Sequence, residues 1–179
     1  MSLNNNIETL IFIHSFEGHM DENTSKEIEL MILHLAQQWT DKGLHVTPED
    51  IAKDMPDSLV VKLDSLNDTV PVLKDLIQRQ LIHVKGAGMY EITPSGIFYL
   101  RKYILTISLP ENRQKVDELI QEYVSESSKK QVDKFLDDVK DLPQDEKGNK
   151  VMSFLKGNSV DIAIAIIRIS ILLSTGVSV

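Results

Sequence analysis

The chain has 179 residues and a formal net charge of −8, with 42% hydrophobic and 26% charged residues. These values are ordinary for a globular protein, and they predict one domain, or one small domain with an appendage. The negative charge argues against indiscriminate binding to nucleic acid or to anionic membranes. The absence of cysteine excludes disulfides, thiolate metal sites and cysteine nucleophiles, and it fits a reducing compartment.

Residues 1–23 contain four acidic residues and neither Lys nor Arg. Their short apolar run fits one face of a helix, and a strand stays open as the alternative. Because no basic residue precedes this run, a signal peptide is not expected. We therefore predict a cytoplasmic protein whose N-terminal arm packs on the core. The apolar residues of the arm are Ile7, Leu10, Ile11, Ile13 and Phe16.

Two helix-start signals follow the arm. Residues 24–27 (Thr-Ser-Lys-Glu) form a capping-box pattern, and the apolar stripe after it runs at helical spacing to Trp39. Gly43 then predicts the end of this first helix. Residues 47–50 (Thr-Pro-Glu-Asp) repeat the start signal and predict a short second helix through Met55.

The stretch of residues 68–105 predicts a helix, a hairpin and a second helix. Residues 68–80 carry an apolar stripe at helical spacing. Gly86 and Gly88 supply the positive φ that a short hairpin loop needs. Thr93 followed by Pro94 predicts the start of the last helix, because Pro at the first helical position has no amide hydrogen to leave unbonded.

This stretch, with its Thr-Pro-Ser-Gly sequence at residues 93–96, resembles the winged helix-turn-helix regulators of the MarR and PadR type. The resemblance covers about residues 24–105. It departs from the family at residues 56–67, where a compact helix-turn-helix has only three or four connecting residues. The resemblance implies that the third helix enters the major groove and that the wing reaches phosphate or the minor groove. The DNA-contacting residues that it implies are Thr69, Lys74, Gln78, Arg79 and Lys85.

The distribution of charge agrees with that placement. Residues 69–106 hold five basic against two acidic residues, a local charge of +3, whereas residues 24–68 carry −5 and residues 107–179 carry −2. The basic excess therefore lies where the resemblance places DNA. Against this, the first turn of the third helix has no basic residue, and Asp75 would face phosphate with the wrong sign. A winged helix that contacts protein instead of DNA stays open as the alternative.

Beyond residue 106 the sequence predicts a helical region. Residues 111–142 predict a charged amphipathic helix or helical pair, with a break expected at residues 125–128, and residues 143–149 predict a polar loop. Residues 160–175 predict a helix bracketed by Asn158-Ser159 and Gly176, although their isoleucines also satisfy strand alternation.

The helix at residues 160–175 is apolar on nearly every face, which predicts burial in a core or in a self-association surface. At about 24 Å it is short of a bilayer's hydrocarbon core of roughly 30 Å, and it carries Asp161 and Arg168, so we do not expect it to span a membrane. We predict a homodimer whose interface includes Ile164, Ile167 and Ile171.

Catalytic and metal-binding motifs are not visible. The sequence has no Gly-x-Ser-x-Gly elbow, no phosphate-binding loop and no His-Glu-x-x-His pattern, so we expect no enzyme, no cofactor and no metal site. His14 and His19 do not have the i, i+4 spacing of a zinc helix, and His34 is expected at the edge of the core.

These observations predict a mainly α protein with three parts: the arm at residues 1–23, a winged-helix domain with a two-stranded wing at residues 24–106, and a helical region at residues 107–179. We expect it to read double-stranded DNA as a dimer, as a transcription regulator would. The alternative is a protein–protein interaction module.

Overall fold

A computed structural model describes residues 22–56, 66–86 and 88–176, without the side chains of residues 66–68. The described part is mainly helical with one two-stranded antiparallel sheet, as the sequence predicts. The predicted N-terminal arm and most of the 56–67 connection lie outside the described residues. The elements are α1 (Glu22–Asp41), α2 (Pro48–Asp54), α3 (Leu66–Gln78), β1 (Ile82–Gly86), β2 (Met89–Ile92), α4 (Pro94–Ile104), two 3-10 helices (Leu105–Ser108 and Pro110–Asn112), α5 (Arg113–Tyr123), α6 (Glu126–Val139), α7 (Gln144–Gly157) and α8 (Val160–Thr175).

The hairpin has a third, very short partner. β1 pairs antiparallel with β2, with Val84 opposite Tyr90 and a register shift between Val84 and Gly86. Val46, between α1 and α2, exchanges two backbone hydrogen bonds with Tyr90, of 3.1 and 2.8 Å. The described residues therefore run helix, bridge, helix, then after the gap at 57–65 helix, hairpin and helix, which is a winged-helix-like order.

The two helix starts predicted at residues 24–27 and 47–50 have different outcomes. The hydroxyl of Thr47 accepts a hydrogen bond from the Asp50 amide at 3.2 Å, and the Asp50 carboxylate accepts one from the Thr47 amide at 3.0 Å, so the helix start predicted at residues 47–50 is confirmed. The first is wrong. Thr24 lies inside α1, and the Glu27 carboxylate accepts hydrogen bonds from Arg168 of α8. Glu27 therefore pairs with a distant arginine and does not cap the N-terminus of α1.

A close contact between α4 and the hairpin depends on a glycine. Thr93 caps α4 by accepting from the Gly96 amide at 3.0 Å, and its hydroxyl donates to the Gln80 carbonyl at 2.7 Å. A Cβ at position 96 would overlap the Leu81 carbonyl oxygen and lie 2.8 Å from Cγ1 of Ile92. The Thr-Pro-Ser-Gly sequence therefore serves the packing of α4 on the base of the wing.

The polar loop predicted at residues 143–149 is wrong, because α7 begins at Gln144. Asp145 and Glu146 lie in the first turn of α7, where acidic side chains favour a helix start. Gly148, which looks like a loop signal, is buried inside the helix. A Cβ there would overlap the guanidinium of Arg101 on α4, so this glycine is required by packing.

α8 confirms the predicted helix, but it corrects the predicted dimer interface. Ser159 caps the helix, and Gly176 ends it with a φ of +66°. Ile164, Ile167 and Ile171 are at most 6% exposed, because α8 packs on α1, α5 and α4 within the same chain. These three side chains are core residues, and none is available to a second copy. No helix in the described ranges is long and apolar enough to cross a bilayer.

One hydrophobic core joins the 24–106 segment to the C-terminal helices. A partly buried ion pair joins the two: Nε and Nη2 of Arg168 donate to the two oxygens of Glu27 at 2.8 and 2.9 Å. The Arg168 guanidinium also lies 5.6 Å from the ring centroid of Tyr123. The hydrogen bonds from Arg168 satisfy a carboxylate that α1 carries into an otherwise apolar environment.

We predict that Gly96→Ala destabilises the protein by at least about 1–3 kcal/mol, the usual cost of forcing an extra methyl group into a packed site. Gly157→Ala is the matched control, since no atom lies within 4 Å of its Cβ position. Urea unfolding monitored by circular dichroism measures both. Equal midpoints for the two variants would contradict the packing role of Gly96.

His34 gives a prediction about acid stability. Its side chain is fully buried on α1, and neither ring nitrogen has a hydrogen-bond partner. Burial, with a smaller contribution from the nearby Lys156 charge, lowers the pKa of His34 from 6.5 to about 4. The unfolded chain therefore takes up this proton before the folded one, so stability is lost as pH falls from 6.5 towards 4.

The expected loss from His34 is about 3 kcal/mol, at 1.36 kcal/mol per pKa unit. Chemical unfolding of His34→Leu should show a flatter dependence on pH across this window than the wild type. If the free energy of unfolding depended on pH in His34→Leu as it does in the wild type, His34 would be excluded as the cause of the acid destabilisation.

Candidate nucleic-acid interface

α3 lies on the core with one buried and one exposed face. Leu73 and Leu76 are buried, whereas Lys74 and Gln78 are exposed and four residues apart. At this spacing two side chains lie on the same face of a helix, one turn apart. The exposed face is the one that a winged helix presents to a groove of DNA.

Thr69 is a correction, because its side chain is 1% exposed. Positions 69, 73 and 76 have the i, i+4, i+7 spacing of a single helical face, so Thr69 shares the inward side of α3 with the two leucines. It cannot reach a base or a phosphate without leaving the core.

Arg79, at the end of α3, already binds two carboxylates. Its Nη1 donates to Glu29 at 2.9 Å and to Asp75 at 2.8 Å, and its Nη2 lies 3.4 Å from the second Glu29 oxygen. The guanidinium also lies 4.8 Å from the ring centroid of Tyr99. The hydrogen bonds to Glu29 raise the pKa of Arg79 in spite of its partial burial. To bind phosphate, this side chain would have to give up these contacts.

Glu29 connects α1, α3 and α4. Besides Arg79, it accepts a hydrogen bond from Lys26 at 3.0 Å, and the same ammonium donates to the Tyr99 hydroxyl at 2.8 Å. Burial alone would raise the pKa of Glu29, but the hydrogen bonds from Arg79, Tyr99 and Lys26 lower it below its ordinary value. We call Lys26, Glu29, Arg79 and Tyr99 the Glu29 cluster.

On the wing, Lys85 is exposed but also paired. Its Nζ lies 2.9 Å from Oε2 of Glu91 across the hairpin, and Nε2 of His83 lies 3.3 Å from the same oxygen. Lys85 lowers the pKa of Glu91, so this carboxylate is charged at neutral pH. The wing tip therefore presents a neutralised cation beside Val84, which is 49% exposed.

The five DNA-contacting residues implied by the resemblance thus have three different environments. Thr69 is buried, Arg79 and Lys85 are ion-paired, and Lys74 and Gln78 are exposed on one face of α3. Lys74 forms no ion pair with any residue that the structure describes.

The Glu29 cluster is what the sequence interpretation missed. Glu27 and Glu29 lie at the start of a stretch of α1, residues 27–33, whose other members are all apolar. Carboxylates in such a stretch need cationic partners, because a buried unpaired charge is costly. That signal indicates that two cations elsewhere in the chain are committed to α1, and the structure identifies them as Arg168 and Arg79.

Comparison with protein-family models, with curated proteins and with solved structures finds no match to this chain. The winged-helix interpretation therefore depends on the order and geometry of the helices and the hairpin themselves. Among the described residues, no group of three or more His, Asp or Glu side chains is arranged to hold a metal ion.

Proposed function

We propose that this protein binds double-stranded DNA through the exposed face of α3, with the β1–β2 hairpin as a wing, and acts as a transcription regulator. The observation that carries the proposal is the outward pair of Lys74 and Gln78 on a helix that packs on the core by its other face. An exposed Lys side chain can bind a DNA phosphate, and a Gln side chain supplies the hydrogen-bonding groups that read an adenine edge in the major groove.

The electrostatics support a weak binder with few phosphate contacts. Two of the cations implied by the resemblance, Arg79 and Lys85, have carboxylate partners within 3 Å. The salt dependence of binding scales with the number of phosphates neutralised, so we expect a shallow slope of log Kd against log salt concentration.

Binding as a homodimer, which doubles the contacts, belongs to the proposal. Its interface then lies outside the buried face of α8. A cytoplasmic location fits the absence of cysteine.

A protein partner at the same surface is the second candidate. Asp75 pairs with Arg79 at 2.8 Å and leaves Lys74 as an uncompensated cation, so the outer face of α3 is close to electrically balanced. Val70 on α3 and Val84 on the wing are both more than one-third exposed. A balanced surface with exposed apolar side chains favours protein contact over phosphate contact.

We predict that Lys74→Glu weakens binding to duplex DNA several-fold and lowers the slope of log Kd against log salt concentration by about 1. Fluorescence anisotropy with a labelled mixed-sequence duplex at about 50 mM salt, where phosphate contacts are strongest, measures this. Lys130→Glu is the matched control. It makes the same charge change at an exposed lysine of α6, among the C-terminal helices.

Equal effects of the two substitutions would mean that only the net charge matters, and would contradict a site on α3. Wild-type protein that binds no DNA under these conditions would exclude the DNA proposal and leave the protein partner. Arg79→Ala is unsuitable as a test of DNA contact, because it leaves Glu29 without two of its hydrogen bonds.

A further inference from the structure

A groove lies between α4 and α7, away from the exposed face of α3. It has a volume of about 460 Å³, and its walls combine apolar and basic side chains. Phe98, on its rim, is 71% exposed and is the most exposed large apolar side chain among the described residues. The apolar and basic side chains of the walls include Phe98, Arg101, Lys102, Leu105 and Leu109.

The Arg101 side chain in the wall of this groove is positioned by contacts with α7. Nη2 of Arg101 donates to the backbone carbonyl of Asp145 in the first turn of α7 at 3.0 Å. Its guanidinium occupies the space that a side chain at Gly148 would need. The position of Arg101 is therefore fixed by α7 and does not depend on a carboxylate.

Neither Arg101 nor Lys102 forms an ion pair with a described residue, although seven other basic residues of this acidic chain do. Asp145 also lines the groove, so the lining has two basic residues against one acidic residue. An apolar surface with an excess of unneutralised cations fits a segment that is itself apolar and carries carboxylates.

The chain contains such a segment immediately before α1. Residues 1–21 hold three acids, Glu8, Glu17 and Asp21, with no Lys or Arg, and the apolar run of residues 7–16 lies among them. Nowhere else in the sequence does an apolar run occur in a stretch of this length without a Lys or Arg.

The residues between this segment and α1 are enough to let it reach α4. α1 begins at Glu22, and Lys26, one turn later, donates to the hydroxyl of Tyr99, the neighbour of Phe98 on α4. Phe16 lies six residues before Glu22, and six residues span up to about 20 Å. Tethering also gives the segment an effective concentration on the order of millimolar, so even a weak contact would be populated.

We propose that residues 7–17 dock in the α4–α7 groove, because their apolar run complements Phe98 and Leu105 and their two carboxylates complement the charges of Arg101 and Lys102. The groove is then an intramolecular docking surface for the N-terminal arm. It is separate from α3 and independent of whether α3 binds DNA.

Cysteine cross-linking tests this directly, because the chain contains no cysteine of its own. The full-length double variant Ser15→Cys with Thr106→Cys places one thiol in the segment and one in the groove wall. The control pair is Ser15→Cys with Ser127→Cys, whose second thiol lies on the exposed first turn of α6. A short bismaleimide, denaturing gels and peptide mapping measure the yield of cross-linked single chains.

We expect the groove pair to form several-fold more intramolecular product than the control pair. Adding Lys102→Glu, at an exposed position, should reduce that yield, and so should a high salt concentration, which screens the charges. Equal yields in the two pairs would overturn the proposal. Product that joins two chains would also overturn it, because the occupant would then be a second copy.

Discussion

The Glu29 carboxylate is the constraint on which the winged-helix half of the structure depends. Its side chain is only 10% exposed, and both Arg79, the residue after α3, and Lys26 of α1 donate to it. Lys26 and Arg79 in turn contact Tyr99 of α4. One buried acid therefore fixes three helices relative to one another, since leaving it unpaired would cost several kcal/mol.

This constraint also determines what α3 can offer a partner. Arg79 has the charge that a DNA-binding helix needs, but it uses that charge within the fold. The outer surface is left with Lys74, Asp75 and Gln78, which is a modest set for phosphate binding. The local charge of +3 in residues 69–106 therefore overstates the cationic surface, because Arg79 is counted in the sum whereas its partner Glu29 lies outside that range.

Most of the backbone could be predicted from sequence, because local signals determine it. Thr47, Thr93 and Ser159 cap the helices that follow them. The site could not be predicted to the same degree, because it depends on distant pairs: Arg79 and Glu29 are 50 residues apart, and Arg168 and Glu27 are 141 apart. The error at α7 has the same origin. Gly148 resembles a loop signal in sequence, and only its contact with Arg101 shows why a helix contains it.

A double-mutant cycle between Glu29 and Arg79 tests the central role of this carboxylate most directly, with Glu29→Gln and Arg79→Met made singly and together. Urea unfolding of the four proteins gives the coupling energy between the two side chains. Because Arg79 is one-third exposed and Lys26 remains as a second partner of Glu29, we predict a coupling of about 1 kcal/mol. Two single effects that add within about 0.3 kcal/mol would contradict the central place given to Glu29, and would leave Arg79 free to bind DNA.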